Sequence, residues 1–66
     1  MTNYFDQMLA AYNLTHWRPK DPNSSFDWVR SDGVEVDYWA AYLEDTSLTW
    51  PQCLKNYDTQ HPMEIP

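Results

Sequence analysis

The chain has 66 residues, with ten acidic and four basic side chains, a net charge of −6 and a single cysteine. This length allows at most one small domain, and one cysteine excludes an internal disulfide. The negative charge argues against direct contact with nucleic acid or anionic membranes, because both need clustered Lys and Arg.

A domain this short needs a stabiliser beyond an ordinary core, and four Trp, five Tyr and two Phe supply one. No run of about 18 apolar residues is present, so no membrane span is expected. The N-terminus shows no basic segment followed by an apolar run, and we therefore expect no signal peptide. Together with the free Cys53, this predicts a reducing, cytoplasmic location, in a host cell's cytoplasm if a phage encodes the protein.

An amphipathic helix is predicted over residues 3–14. Tyr4, Met8 and Tyr12 recur every four residues, and Phe5, Leu9 and Ala11 widen this apolar stripe. Asn3 has the chemistry of an N-cap. We expect this stripe to be the core face of a docked helix; the alternative is a face that binds a partner.

A loop is predicted over residues 15–25, because Pro19, Pro22 and the Asn-Ser-Ser run that follows interrupt regular structure. A β-hairpin is predicted next, centred on the turn formers Asp32 and Gly33. Apolar and polar residues alternate on both sides of this turn.

Residues 34–45 allow two interpretations. The alternation that starts at Val34 continues to Ala40, which allows one long strand. The pairs Tyr38–Tyr42 and Trp39–Leu43 have helical spacing, and alanine favours helix. We favour a strand over 34–38 followed by a short helix over 39–45.

Thr49 and Gln52 match a capping box, a helix-start signal in which the threonine side chain and the side chain of the glutamine three residues later each bond the backbone. Pro51, inside the first turn, also favours a helix start. The predicted helix runs to Tyr57, and the proline-containing segment after it is predicted to be extended. The predicted class is therefore α+β, with a compact domain over 1–58 and a tail over 59–66. Three strands or an all-helical core are the alternatives.

Acidic residues concentrate in the middle of the chain, where residues 27–45 carry a net charge of −5 and Arg30 is the only cation. Spaced carboxylates resemble a run of phosphates electrostatically. A basic site that normally holds nucleic acid could accept them, and small inhibitors encoded by phages and mobile elements work in this way. The leading hypothesis is thus an inhibitor of a larger, basic, nucleic-acid-binding protein. The chain resembles such inhibitors in size and charge alone. A solvated acidic face without a partner is the alternative.

Surplus aromatic residues suggest a different interaction, because Trp and Tyr are enriched at the energetic centres of interfaces. The alternative hypothesis is a structural or adaptor subunit that binds through exposed aromatics, and a homodimer is one form of it. The chain has no phosphate-binding glycine loop and no zinc or calcium motif, so we expect no enzyme, metal or cofactor. The candidate partner-binding residues are Asp27, Asp32, Glu35, Asp37, Trp39, Tyr42, Glu44 and Asp45.

Overall fold

A computed structural model of the chain describes residues 3–63. It contains three helices and one three-stranded antiparallel sheet, so the α+β class is confirmed. In chain order the elements are α1 (Tyr4–Ala11), β1 (Trp17–Pro19), β2 (Asp27–Arg30), β3 (Glu35–Asp37), α2 (Tyr38–Glu44) and α3 (Trp50–Gln60). No helix in the described part of the chain has the length and apolarity needed to cross a membrane.

Helix α1 begins as predicted but ends three residues early. The Asn3 side chain accepts a hydrogen bond from the Asp6 backbone N–H at 2.8 Å, which is the expected N-cap. At the other end, Asn13 adopts a positive φ of 58°. The backbone N–H groups of Asn13 and Leu14 then bond the carbonyls of Ala10 and Leu9. This is a Schellman motif, which terminates a helix by satisfying its last carbonyls.

The predicted loop over residues 15–25 is wrong in its first part, because β1 lies there. Trp17 pairs with Arg30 and Pro19 with Trp28 in antiparallel register, and the sheet order is β1-β2-β3. Proline has no N–H for a ladder bond and is confined to edge strands, and β1 is an edge. The three-strand alternative is therefore the correct one.

The predicted hairpin is confirmed. Trp28 pairs with Val36 across β2 and β3, and the turn lies at Asp32 and Gly33. Gly33 has a φ of +96°, and its N–H bonds the Arg30 carbonyl at 2.9 Å. A three-residue hairpin loop commonly closes on a left-handed residue in this way, which explains the glycine.

A strand followed by a helix is also the correct interpretation of residues 34–45. The chain leaves β3 at Asp37, whose side chain accepts a hydrogen bond from the Ala40 backbone N–H at 3.3 Å. This N-cap starts α2 immediately, with no connecting loop. The long strand is thus excluded.

Helix α3 starts at the predicted place, with Thr49 as N-cap and Pro51 in the first turn. The capping-box bonds do not form: the Thr49 side chain makes no cap bond, and Gln52 donates to Asn56 instead. The helix continues three residues past Tyr57, so residues 58–60 are helical rather than extended. The proposed division at residue 58 stays a prediction, and residues 64–66 of the predicted tail lie outside the described range.

The core lies between one face of the sheet and the helices, and tryptophan dominates it. Trp28 stacks on Trp50 with ring centroids 4.5 Å apart, and Phe5 meets both rings edge-on. Trp17 and Trp28 are fully buried. Large rings therefore substitute for chain length in this domain. The other buried apolar residues among those described are Leu9, Leu14, Tyr38, Pro51, Cys53 and Leu54.

Candidate functional site

A groove with an aromatic lining lies between α1 and α2. Its volume is about 400 Å³, within the size range of ligand sites. We call it the aromatic groove; α1 provides one wall, Phe26 and α2 the other, and the first turn of α3 also contributes. Its lining consists of Tyr4, Met8, Tyr12, Ser25, Phe26, Tyr38, Tyr42, Thr49, Trp50 and Pro51.

The α1 wall of the groove is formed by Tyr4, Met8 and Tyr12, which were predicted to belong to the core face of this helix. Tyr4 and Tyr12 are instead 62% and 41% exposed, and Met8 is half-buried between them. The core face of α1 is formed by Phe5 and the fully buried Leu9, and the predicted stripe included both. The expectation of a core stripe is wrong for the two tyrosines, which leaves this face open to a partner.

The opposite wall is held in place by ring stacking and one hydrogen bond. Phe26 stacks on Tyr38 at 5.5 Å, and the Tyr38 hydroxyl donates to the Leu48 carbonyl. Burial raises the pKa of Tyr38 above its usual value. Tyr42 contacts both rings, with centroids 6.3 and 5.9 Å away. These contacts fix the wall before any ligand arrives, so a ligand would meet a preformed surface.

Trp39 extends this aromatic surface beyond the groove. It is 46% exposed, stacks on Tyr42 at 5.9 Å and meets Phe26 edge-on at 4.9 Å. Leu43, one turn later, is 60% exposed. Two predicted partner-binding residues, Trp39 and Tyr42, thus lie on one continuous aromatic surface with the groove.

Three of the predicted acidic residues lie together on the sheet face that points away from the helices, which we call the outer face. Asp27 and Asp37 are paired directly across β2 and β3, and Glu35 follows on the same side of β3. All three are exposed. The predicted arrangement of carboxylates on one strand face is therefore present.

The outer face is less acidic than the sequence suggested, because β1 adds cations to it. Arg18 lies opposite Val29, and Lys20, just after β1, is bonded through its backbone to Asp27. The Lys20 ammonium lies 2.6 Å from Glu35 Oε1. That hydrogen bond raises the Lys20 pKa. Two cations from outside residues 27–45 thus accompany the three carboxylates on this face.

The remaining predicted acids are on other elements, and two of them have structural roles. Asp32 pairs with Arg30, and the guanidinium lowers the pKa of the Asp32 carboxyl. Asp45 accepts hydrogen bonds from the backbone N–H and hydroxyl of Ser47, which lower its pKa. Glu44, at the end of α2, is exposed and forms no ion pair with any described residue. No continuous run of free carboxylates results.

A buried ion-pair network around Arg30 was not foreseen. The Arg30 side chain is only 4% exposed; its Nη1 donates to Asp58 Oδ1 at 3.0 Å and its Nη2 to Asp32 Oδ2 at 2.7 Å. Asp58 also lies 2.6 Å from His16 Nε2 and accepts from Trp17 Nε1 at 3.1 Å. Desolvation acts to raise the Asp58 pKa, but these hydrogen bonds outweigh it and the pKa lies below its usual value. Because every group is satisfied internally, we interpret the network as structural.

Nothing in residues 3–63 brings three or more His, Cys, Asp or Glu side chains into an arrangement that could hold a metal ion. Cys53 is a buried thiol, and burial raises its pKa, which disfavours the reactive thiolate. No protein-family model, curated protein or solved structure matches the chain.

Proposed function

We propose that this protein is a small, non-enzymatic interaction module that binds a larger protein through the aromatic groove. The observation that carries the proposal is the exposure of Tyr4 and Tyr12 along a groove of about 400 Å³. A domain of 66 residues has few apolar side chains to spare, yet these two stay outside its core. Tyrosine and tryptophan on a surface are characteristic of interface hot spots.

The shape of the site favours a protein partner over a small molecule. The groove continues into the exposed ring of Trp39 through Phe26 and Tyr42, which makes a contact surface longer than the groove itself. Such a surface fits a segment of polypeptide with several side chains in contact. The free thiol of Cys53 suits a reducing cytoplasm, where we place the interaction.

Variants of the groove test this proposal. We would immobilise the wild-type protein, the double variant Tyr4→Ala/Tyr12→Ala and the control Leu43→Ala, and compare the partners that each retains. Leu43 is as exposed as Tyr4 but does not line the groove, so Leu43→Ala controls for non-specific binding to exposed apolar side chains. We expect the partner to remain bound to wild type and control at 1 M salt and to be lost from the double variant.

Exposed substitutions of this kind usually change stability by less than about 0.5 kcal/mol, so loss of binding would not reflect unfolding. Equal retention by the wild-type protein and the double variant would refute the groove proposal. If the retained partner is the same chain, sedimentation analysis should show a concentration-dependent dimer that the double variant lacks. That result would assign the groove to self-association.

A second candidate is the acidic inhibitor, which would dock its outer face on the basic site of a nucleic-acid-binding protein. One observation favours it: Asp27 and Asp37 are directly opposite each other, and like charges in that position destabilise a sheet. A cationic partner would relieve the repulsion. Asp27→Asn should then stabilise the free protein slightly while it weakens binding, and moderate salt should release the partner. Undiminished binding by Asp27→Asn would exclude this candidate.

A further inference from the structure

The lining of the aromatic groove combines six aromatic rings with an absence of formal charge. The rings belong to Tyr4, Tyr12, Phe26, Tyr38, Tyr42 and Trp50, and no Asp, Glu, Lys, Arg or His lines the groove. The protein around it carries a net charge of −6. We propose, resting on the function above, that the groove accepts an arginine side chain of the partner protein, with its guanidinium stacked on these rings.

Aromatic faces attract cations because the ring quadrupole places negative charge above and below the ring plane. Arginine fits better than lysine here. Its guanidinium is planar, weakly hydrated and able to stack, whereas an ammonium is compact and strongly hydrated. A groove without a carboxylate offers little to replace the water that an ammonium would lose, so selectivity for arginine follows.

The protein already holds two cations against its own rings, one of which, Arg30, is also paired with Asp32 and Asp58. The Arg30 guanidinium carbon lies 5.6 Å from the Trp17 ring centroid and 5.3 Å from that of Tyr57. Lys55 does not line the groove, but its Nζ lies 5.5 Å from the centroid of the Tyr12 ring, which does. Tyr12 therefore already holds a cation that competes with an incoming one for the same ring, and removing Lys55 should strengthen binding.

Hydrogen-bond acceptors at the groove complement the five N–H donors of a guanidinium. Tyr4, Tyr12 and Tyr42 make no side-chain hydrogen bond with any described residue, so their hydroxyl oxygens are available. Asp6 on α1 and Glu44 on α2 are exposed and form no ion pair within residues 3–63. Neither carboxylate lines the groove, since each is two residues from a lining tyrosine and thus on another side of its helix. They favour a cationic partner only through the overall negative potential of the protein.

A pair of peptides that differ only in charge tests the inference. We would titrate the protein with acetyl-Gly-Arg-Gly-amide and with its citrulline counterpart, which has nearly the same shape but no charge, and follow the tyrosine ring signals by NMR. We expect the arginine peptide to shift the Tyr12 and Tyr42 rings and to bind about threefold more tightly than the citrulline peptide. The corresponding lysine peptide should bind more weakly than arginine.

Two variants sharpen the test. Lys55→Gln should increase affinity for the arginine peptide about twofold by removing the competing cation, and should leave citrulline binding unchanged. Tyr12→Leu keeps an apolar side chain without a π face, so it should reduce arginine binding and leave citrulline binding nearly unaltered.

The outcomes separate this inference from the proposed function. Equal binding of the arginine and citrulline peptides, or shifts confined to residues outside the groove, would overturn the arginine proposal even if Tyr4→Ala/Tyr12→Ala still loses its partner. The function itself would fail only if that double variant keeps its partner. If the proposed function and the arginine proposal are both correct, an Arg-to-Leu substitution in the captured partner should weaken the complex.

Discussion

Replacing Asp58 by asparagine removes one of the two carboxylate charges that pair with the buried Arg30. In the native protein Asp58 Oδ1 accepts from Arg30 Nη1 at 3.0 Å, while Oδ2 lies 2.6 Å from His16 Nε2 and 3.1 Å from Trp17 Nε1. Asparagine has one acceptor oxygen and one amide group. It can therefore satisfy one side of this network, and on the other side it places a donor against a donor.

The expected loss is about 3 kcal/mol of unfolding free energy, the lower end of the range for breaking a buried ion pair. The lower end applies because Arg30 keeps two bonds to Asp32, at 3.0 and 2.7 Å, and because the Asp58 side chain is 23% exposed. A domain of 66 residues has a total stability of about 3–10 kcal/mol. The substitution should thus remove a large part of it and lower Tm by about 15 °C.

Urea unfolding followed by tryptophan fluorescence measures this loss, because Trp17 and Trp28 are fully buried in the native state. Asp27→Asn is the matched control: it is the same substitution at an exposed position whose carboxylate accepts no hydrogen bond within residues 3–63. We expect the control to change stability by less than about 0.5 kcal/mol. Equal effects of the two substitutions would refute the view that the Arg30 network stabilises the fold.

Three further predictions concern stability. The pKa values of Asp32 and Asp58 lie below the ordinary 3.8, so the stability that these carboxylates contribute is complete above that pH and is lost as the pH falls below it. The urea concentration at the unfolding midpoint should therefore drop between pH 6 and pH 3, and it should drop less in Asp58→Asn. An unchanged midpoint would contradict a stabilising role of these two carboxylates. Gly33→Ala should lower the free energy of unfolding by about 1–2 kcal/mol. The loss would come from backbone strain alone, because the φ of Gly33 is +96° and an added Cβ would meet no atom within 4 Å. An unchanged free energy of unfolding would exclude that strain. Asn3→Ala should lower the free energy of unfolding by about 1 kcal/mol, because it removes the N-cap hydrogen bond of α1. Asn3→Asp, measured in the same denaturation series, should retain most of that stability.

Local chemistry in the sequence was sufficient for the elements whose signals lie within a few residues of each other. The cap at Asn3, the turn at Gly33 and the α3 start at Thr49 are all present as predicted. The cap and the turn each depend on a backbone group or dihedral angle that one nearby residue satisfies. Helix α3 starts at the predicted residue, with Pro51 in its first turn, but without the predicted capping-box bonds. Helix ends were predicted less well, because the left-handed Asn13 that ends α1 carries no periodic signal.

Strand β1 could not be found in the same way. It has three residues, one of them proline, and it exists because Trp17 pairs with Arg30, thirteen positions later. Its presence changed the outer face, since Arg18 and the Lys20 that follows it now lie beside the predicted acidic residues. A charge pattern in a sequence gives the total charge, but the pairing of strands decides which charges become neighbours.

Burial was likewise decided by the tertiary structure. Arg30, an ordinary surface residue by type, is buried because Asp58 arrives from a helix 28 residues later. Tyr4 and Tyr12, which have the spacing of a core stripe, stay exposed because Phe5 and Leu9 already fill the space against the sheet. Periodicity in the sequence shows that a helix has an apolar side, but only the packing of the other elements determines how much of that side is covered.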